Sequence, residues 1–375
     1  MRAEEEALER KRAREYGVEI GRFPTGPGNA ITDVAGVRVG QKTVVRDSST
    51  EGSRAVRTGV TVIWPGKQPW RDRLYAGTAI LNGYGEMIGI CHINEWGLLH
   101  TPITLTSSLS IGLGYHAVAK WIAREDPSIE DDAPMPVVAE CDDGFLNDAL
   151  SFPLAEEDFW SALESASSGP VKEGCVGAGT GMQCFDFKGG IGTASRVLPS
   201  DRGGFTVGAL VLTNFGSRPD LRIDGVLVGR EIADLMPESH HDGSAIAVVA
   251  TDAPMLPHQL DRIAARAGLG LGRCGSIGEN YSGEIMLAFS TAQTIPLETP
   301  HATITVEALA DGATFEESCV LTALFGATVE AVEEAVVNAL FTAESTVGRE
   351  GNVLHALPLD RTLQLLDRAG RLKAR

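Results

Sequence analysis

Asp242-Gly243-Ser244-Ala245-Ile246-Ala247-Val248-Val249-Ala250 is the stretch that decides how this chain is read. A polar loop carrying His240 and His241 gives way abruptly to an apolar run, the pattern of a buried strand. A cut between Gly243 and Ser244 would make a serine the first residue of that strand, with its hydroxyl and a free α-amine on one residue. An α-amine has an unperturbed pKa of about 7.7–8.0, against about 10.4 for lysine, so it can take the hydroxyl proton without a histidine. The same tripeptide also reads as ordinary turn chemistry, because Asp-Gly and Gly-Ser suit a loop that leads into a strand. The remainder of the chain decides between the two.

Composition narrows the partners. The 375 residues are 43% hydrophobic, enough for a sizeable core. Fifty acidic against 32 basic residues give a formal charge of -18, which repels a phosphate backbone and anionic lipid headgroups. Nucleic acid and membrane surfaces are therefore not expected partners. No apolar stretch approaches the roughly 20 residues of a membrane span, and Met1 to Tyr16 is a charged run without the apolar core of a signal peptide. That run reads as a solvated helix in a cytoplasmic protein.

No metal or cofactor is expected. Cys91, Cys141, Cys175, Cys184, Cys274 and Cys319 are scattered, with no CxxC spacing and no histidine at a zinc-ligand interval. They read as buried free thiols. Adjacent His240 and His241 would not point at one ion and read as part of a polar loop. Without a metal or a histidine site, the usual ways of activating a hydroxyl are missing, which raises the interest of Ser244.

Strand and helix patterns interleave. Thr58 to Trp64 and Phe205 to Thr213 are β-branched, partly buried strands. Helical spacing appears at Ile111 to Arg124, His258 to Ala267 and Thr328 to Ala343. Glu125 to Pro136 is the longest candidate linker, too short to separate domains, and there is no internal repeat. A layered α/β or α+β single domain fits this order. Gly270-Leu271-Gly272-Arg273-Cys274-Gly275 matches GxGxxG, but that fingerprint needs a strand before it and a helix after it. Here a helix precedes and an apolar run follows, so no dinucleotide site is expected. The segment Gly177-Ala178-Gly179-Thr180-Gly181-Met182, continuing to Arg196, lacks the GK[ST] of a phosphate loop. Its glycines read as close backbone approach around a pocket or a tight hairpin.

Three further polar residues stand out against apolar strands. Tyr281 to Ser290 reads as a buried strand in which Ser282 and Glu284, two residues apart, share a face. A buried carboxylate needs a partner, and a free ammonium at Ser244 would serve, as would an arginine at the strand edge. Asn214 follows Val211-Leu212-Thr213 at a strand end, where an amide can direct its NH₂ into a pocket as an oxyanion donor or simply cap a turn.

Together these segments resemble the self-processing L-aminopeptidase/D-amino-acid esterase family, which includes the β-aminopeptidases and stands among the N-terminal-nucleophile hydrolases. The resemblance runs from Asn29-Ala30-Ile31-Thr32-Asp33-Val34-Ala35-Gly36-Val37-Arg38-Val39-Gly40 through Leu81-Asn82-Gly83-Tyr84-Gly85-Glu86-Met87 and the glycine-rich 177–196 segment. It continues through Asp242-Gly243-Ser244 with Ala250-Thr251-Asp252-Ala253-Pro254, and through Ser282-Gly283-Glu284. Ala343-Glu344-Ser345-Thr346-Val347-Gly348-Arg349 and Ala356-Leu357-Pro358-Leu359-Asp360-Arg361 close it.

The resemblance implies an α+β fold, a four-layer αββα sandwich, and one catalytic domain cleaved into residues 1–243 and 244–375 that stay associated, usually as a homotetramer. It implies Ser244 as nucleophile, Ser282 and Glu284 assisting its activation, Asn214 as an oxyanion contact and Glu140 as the acidic group that holds the substrate's free amine. The substrates implied are short peptides and amino-acid amides or esters. Some relatives carry tyrosine where Asp142 aligns here, so the pocket differs at that point. Two rival expectations are an acyl transferase like the ornithine acetyltransferases, which release a threonine, and an uncleaved binding protein of the same fold.

Overall fold

The computed structural model describes residues 10–48, 54–129, 134–238, 243–311 and 319–373. Asp242, His240 and His241 lie outside the described residues, so the junction is seen from Gly243 onward. The chain begins with β1 (Arg38–Arg46), β2 (Val56–Trp64), β3 (Asp72–Gly83), β4 (Met87–Ile88), α1 (Ile90–Trp96), β5 (Leu98–Leu99) and β6 (Ile103–Ser107). It continues through α2 (Ile111–Glu125), β7 (Val137–Cys141), α3 (Glu156–Glu164), β8 (Gln183–Cys184), β9 (Phe187–Lys188), β10 (Ile191–Val197) and β11 (Thr206–Asn214). After α4 (Val228–Glu231) come β12 (Ser244–Thr251), α5 (Pro257–Cys274), β13 (Gly283–Ser290), β14 (Ile295–Pro296) and α6 (Val320–Thr342). A short hairpin, β15 (Thr346–Val347) and β16 (Val353–Leu354), leads to α7 (Leu359–Arg368).

Two sheets stack face to face. One runs in the order β1-β2-β6-β7-β4, the other β10-β11-β12-β13-β3-β14 with β5 also on β3. Ile63, Ile103, Leu105 and Ala139 from the first sheet meet Leu210, Ile246, Val248 and Leu287 from the second in one core between the sheets. On the outer side of the first sheet, Val60, Val62 and Trp64 pack on Val118, Trp121 and Phe159 of α2 and α3. On the outer side of the second, Ala247, Val249 and Met286 pack on α5 and α6 through Leu260, Ile263 and Val336. These are the four layers of an αββα sandwich.

The run from Ser244 to Thr251 is buried at every position, which explains why it reads as continuously apolar instead of alternating. It sits between β11 and β13 in mid-sheet, antiparallel to the first and parallel to the second, with a core on each face.

Several elements differ from their sequence-based bounds. Of the Met1 to Tyr16 run, residues 1–9 lie outside the described residues, and Ala13–Tyr16 is a 3₁₀ turn with Ala13 buried, not a solvated helix. Arg14 binds the buried Glu334 at 2.7 Å, and Arg12 pairs with Glu173 at 2.7 Å, so buried carboxylates hold this charged run against the body of the protein. The helix expected at His258 to Ala267 continues through the GxGxxG match to Cys274. Gly270 lets Val332 of α6 approach, since a Cβ there would stand 2.7 Å from the valine Cβ, and Gly275 closes the helix at φ 117°. The glycines therefore serve helix packing and a left-handed cap. In the 177–196 segment, Gly177–Gly181 forms a 3₁₀ turn followed by the β8–β9 hairpin. Backbone approach is close there: a Cβ on Gly59 would stand 2.4 Å from the Gly177 carbonyl oxygen.

Candidate active site

Ser244 is the first residue of β12, and the register sets it between Asn214 of β11 and Gly283 of β13. It alternates with Ala245, so its side chain joins the face of Ile246 and Val248 that looks between the two sheets. The residue is only 4% exposed, and its hydroxyl has no hydrogen-bond partner among the described residues. Its neighbour across the sandwich is Cys141, whose thiol is pushed well up by burial, with the Ser244 hydroxyl pulling the other way. Ser244 and Gly243 line a cavity of about 580 Å³ with Ser108, Glu140, Asp142 and Tyr281. A larger groove of about 980 Å³, at Ile80, Arg222, Leu269 and Arg273, contains none of Ser244, Ser282, Glu284, Asn214 and Glu140.

The peptide before Ser244 is tightly held. The Gly243 carbonyl accepts a hydrogen bond from the Gly283 N–H at 3.1 Å. A Cβ on Gly243 would stand 2.5 Å from the Asn214 carbonyl oxygen and 2.8 Å from Phe215 Cα. No side chain fits there without moving backbone.

Ser282 and Glu284 do share a face, and the Ser282 hydroxyl donates to Glu284 Oε1. That face is the one carrying Met286 and Ala288 toward α5, opposite to the face of the Ser244 hydroxyl. The pair meets the junction from behind: Ser282 Oγ lies 3.3 Å from where a Cβ on Gly243 would be. Glu284 is fully buried, its Oε2 has no hydrogen-bond partner among the described residues, and its carboxyl is raised by burial, with the Ser282 bond opposing. No arginine at the strand edge bonds to it among the described residues. Asn82 fixes the turn that presents Ser282, donating from Nδ2 to the Glu279 carbonyl at 2.6 Å and to the Ser282 carbonyl at 2.5 Å.

Asn214 ends β11, as the apolar run before it suggests, and lies across from Ser244. Its Oδ1 accepts the Gln183 N–H at 2.9 Å, which occupies the carbonyl end of the amide and leaves the NH₂ end as the donor.

Glu140 enters the cavity from β7. Its Oε1 accepts the Glu86 N–H at 2.9 Å, and Ser108 donates its hydroxyl to Oε2. Burial raises its carboxyl above the ordinary glutamate range, these two bonds work against that, and the charges of Asp142 and Glu86 add to it. Asp142, just past the strand, is exposed.

Sequence reasoning missed Ser108, Asn82 and Gln183. The Ser108 hydroxyl reaches Glu140 because β6 and β7 are parallel neighbours. Among the described residues no group of three or more His, Cys, Asp or Glu could hold a metal ion. No helix there is long and apolar enough to cross a membrane.

A serine heading a central strand of an αββα sandwich, with no histidine among the described residues that line its cavity, is the architecture of an N-terminal-nucleophile hydrolase. Residues 29–354 match Peptidase family S58, and the chain belongs to that family of serine aminopeptidases. It is 42% identical over 385 residues to the β-peptidyl aminopeptidase BapA of Sphingosinicella microcystinivorans, covering 98% of this chain and 95% of that one. A BapA of Sphingosinicella xenopeptidilytica is 40% identical over 371 residues, 95% of this chain and 90% of the relative. The L-aminopeptidase D-Ala-esterase/amidase of Ochrobactrum anthropi, described as a variant of the Ntn hydrolase fold, superposes with a TM-score of 0.89 at 42% identity. That match covers 96% of this chain and 99% of that structure.

Proposed function

We propose that this chain is a precursor that cleaves itself between Gly243 and Ser244 and then works as an exo-acting serine aminopeptidase. The observation that carries the reading is the Ser244 hydroxyl: buried, unpartnered, at the head of a central strand and on the wall of a cavity that also holds Glu140.

In the precursor the Ser244 Oγ attacks the Gly243 carbonyl carbon, which its hydrogen bond from Gly283 helps to polarise. The C–N bond breaks, the hydroxyl proton ends on the Ser244 nitrogen, and the resulting ester is hydrolysed by water to a Gly243 carboxylate and a free Ser244 amine. Ser282 Oγ stands beside Gly243 on the face opposite the hydroxyl, and in this reading the Ser282–Glu284 pair serves the released amine and the amine serves the hydroxyl. Glu284 Oε2, without a hydrogen bond in the uncleaved chain, is then available to the new ammonium. In turnover the same hydroxyl attacks a substrate amide or ester, Asn214 donates to the developing oxyanion, and Glu140 holds the substrate's ammonium. Short peptides, amides and esters with a free amine are the substrates. Residues 1–243 and 244–375 remain together because β11, β12 and β13 form one ladder across the cut. Homotetrameric assembly and a cytoplasmic setting belong to the same proposal, the latter supported by six free cysteines.

The test is a denaturing gel of the purified protein with N-terminal sequencing of the smaller band. Fragments of roughly 26 and 14 kDa, the smaller beginning Ser-Ala-Ile-Ala-Val, are expected for release of the nucleophile. Ser244→Ala should remain one band of 39.7 kDa, and Gly243→Ala should process far more slowly because its methyl group collides with Asn214 and Phe215. A Ser244→Ala chain found cut at residue 244 would sink the assignment.

A further inference from the structure

We propose that Asp142 forms a second cation subsite in the Ser244 cavity, so that the enzyme favours substrates whose N-terminal residue carries a side-chain ammonium or guanidinium. The inference rests on the aminopeptidase reading and names the substrate class of that site.

Among the described residues the cavity wall contains Glu140 and Asp142 and no Lys, Arg or His. The 4% exposed hydroxyl of Ser244, without a hydrogen-bond partner among the described residues, stands on the same wall, so both carboxylates share one cavity with the reacting atom. Glu140 already accepts two hydrogen bonds and is oriented by them, as a group that holds one ammonium must be. Asp142 differs. It is exposed, its carboxylate bonds only to the Gly144 N–H at 2.9 Å through Oδ1, and no cation pairs with it among the described residues. Its charge and that of Glu86 both act on Glu140, so one cation leaves an excess of negative charge in the cavity. Residues two apart along an extended chain are separated by about 6.6 Å. Lysine spreads its two nitrogens over a five-carbon path, so one ammonium can reach Glu140 while the other reaches Asp142.

The experiment compares kcat/KM for matched p-nitroanilides, L-lysine against L-norleucine and β-homolysine against β-homonorleucine, on processed wild type, Asp142→Asn and Asp142→Glu. Wild type should favour the cationic member of whichever pair it hydrolyses by about tenfold, mainly through KM, as one charged hydrogen bond provides. Asp142→Asn should bring that ratio to about one, and Asp142→Glu should restore most of it. If Asp142→Asn does not process, wild type decides alone: the ratio should fall toward one between low and high salt, and a salt-independent ratio overturns the subsite. Equal rates on both members of each pair, or an Asp142→Asn variant that loses both in proportion, also overturn it and leave the aminopeptidase reading standing. A processed protein that hydrolyses none of the four substrates overturns both.

Discussion

At residue 243 a glycine is required by contact: the Asn214 carbonyl and Phe215 Cα occupy the space of a side chain. Gly283 behaves alike, with the Tyr84 carbonyl oxygen 2.5 Å from its absent Cβ, so the residue before the reacting serine and its partner on β13 both admit backbone instead of side chains. Glu140 carries the residue-scale prediction. It holds an ammonium only when ionised, and burial raises its carboxyl. Therefore kcat/KM should fall on acidification through a value above the ordinary glutamate range, about 4.3. Glu140→Gln should lower kcat/KM by about tenfold to a hundredfold and remove that acid limb. A limb that persists unchanged in the variant would assign it to another group.

At the scale of the element, α6 shows what hydrophobic spacing leaves out. The three- and four-residue repeat around Val329 to Val337 suggests one buried face, whereas the helix is buried on nearly every side, Glu330, Glu333 and Glu334 included. Those glutamates are tolerated because cations meet them: Arg196, itself fully buried, stands 2.7 Å from Glu334 and 3.4 Å from Glu330. Asn29 also donates to Glu334 at 2.5 Å. The arginines come from β10 and from the segment before β1, so no local pattern could announce them. Arg196→Met leaves Glu334 with less compensation in a closed interior and should cost about 3–5 kcal/mol of stability. Urea unfolding monitored by circular dichroism measures this, and a midpoint within error of wild type would show that Arg14 and Asn29 suffice.

Across the whole molecule, burial of acidic groups gives stability a pH dependence opposite to ordinary acid denaturation. Asp143 is 1% exposed, accepts one side-chain hydrogen bond from Asn147 at 2.9 Å and has its carboxyl pushed up to about 7 by burial. Between about pH 4 and 7 the folded protein keeps a proton that the unfolded chain has released, so this group's contribution falls as pH rises through that window. Thermal unfolding of Asp143→Asn should therefore show a shallower decline of Tm from pH 5 to 8 than wild type. Identical slopes for the two proteins would exclude Asp143 as the source.

The amino-acid sequence by itself determined the parts that depend on neighbours along the chain. A serine opening a doubly buried strand, a serine and a carboxylate on one face two residues apart, and an amide at a strand end follow from β-period and apolar runs, and each stands where those patterns set it. Resemblance of ordered motifs supplied the αββα arrangement, which composition and periodicity had narrowed only to layered α/β or α+β. The tertiary structure alone decided what depends on distant approach. Ser108 and the Glu86 amide meet Glu140 from 32 and 54 residues away, and Gln183 meets Asn214 from 31. The split of Ser244 and the Ser282–Glu284 pair onto opposite faces of one sheet comes from the parallel register of β12 and β13. Period and propensity act over a few residues, whereas register, cavity shape and the pairing of buried charges arise only when strands and helices far apart in sequence pack together.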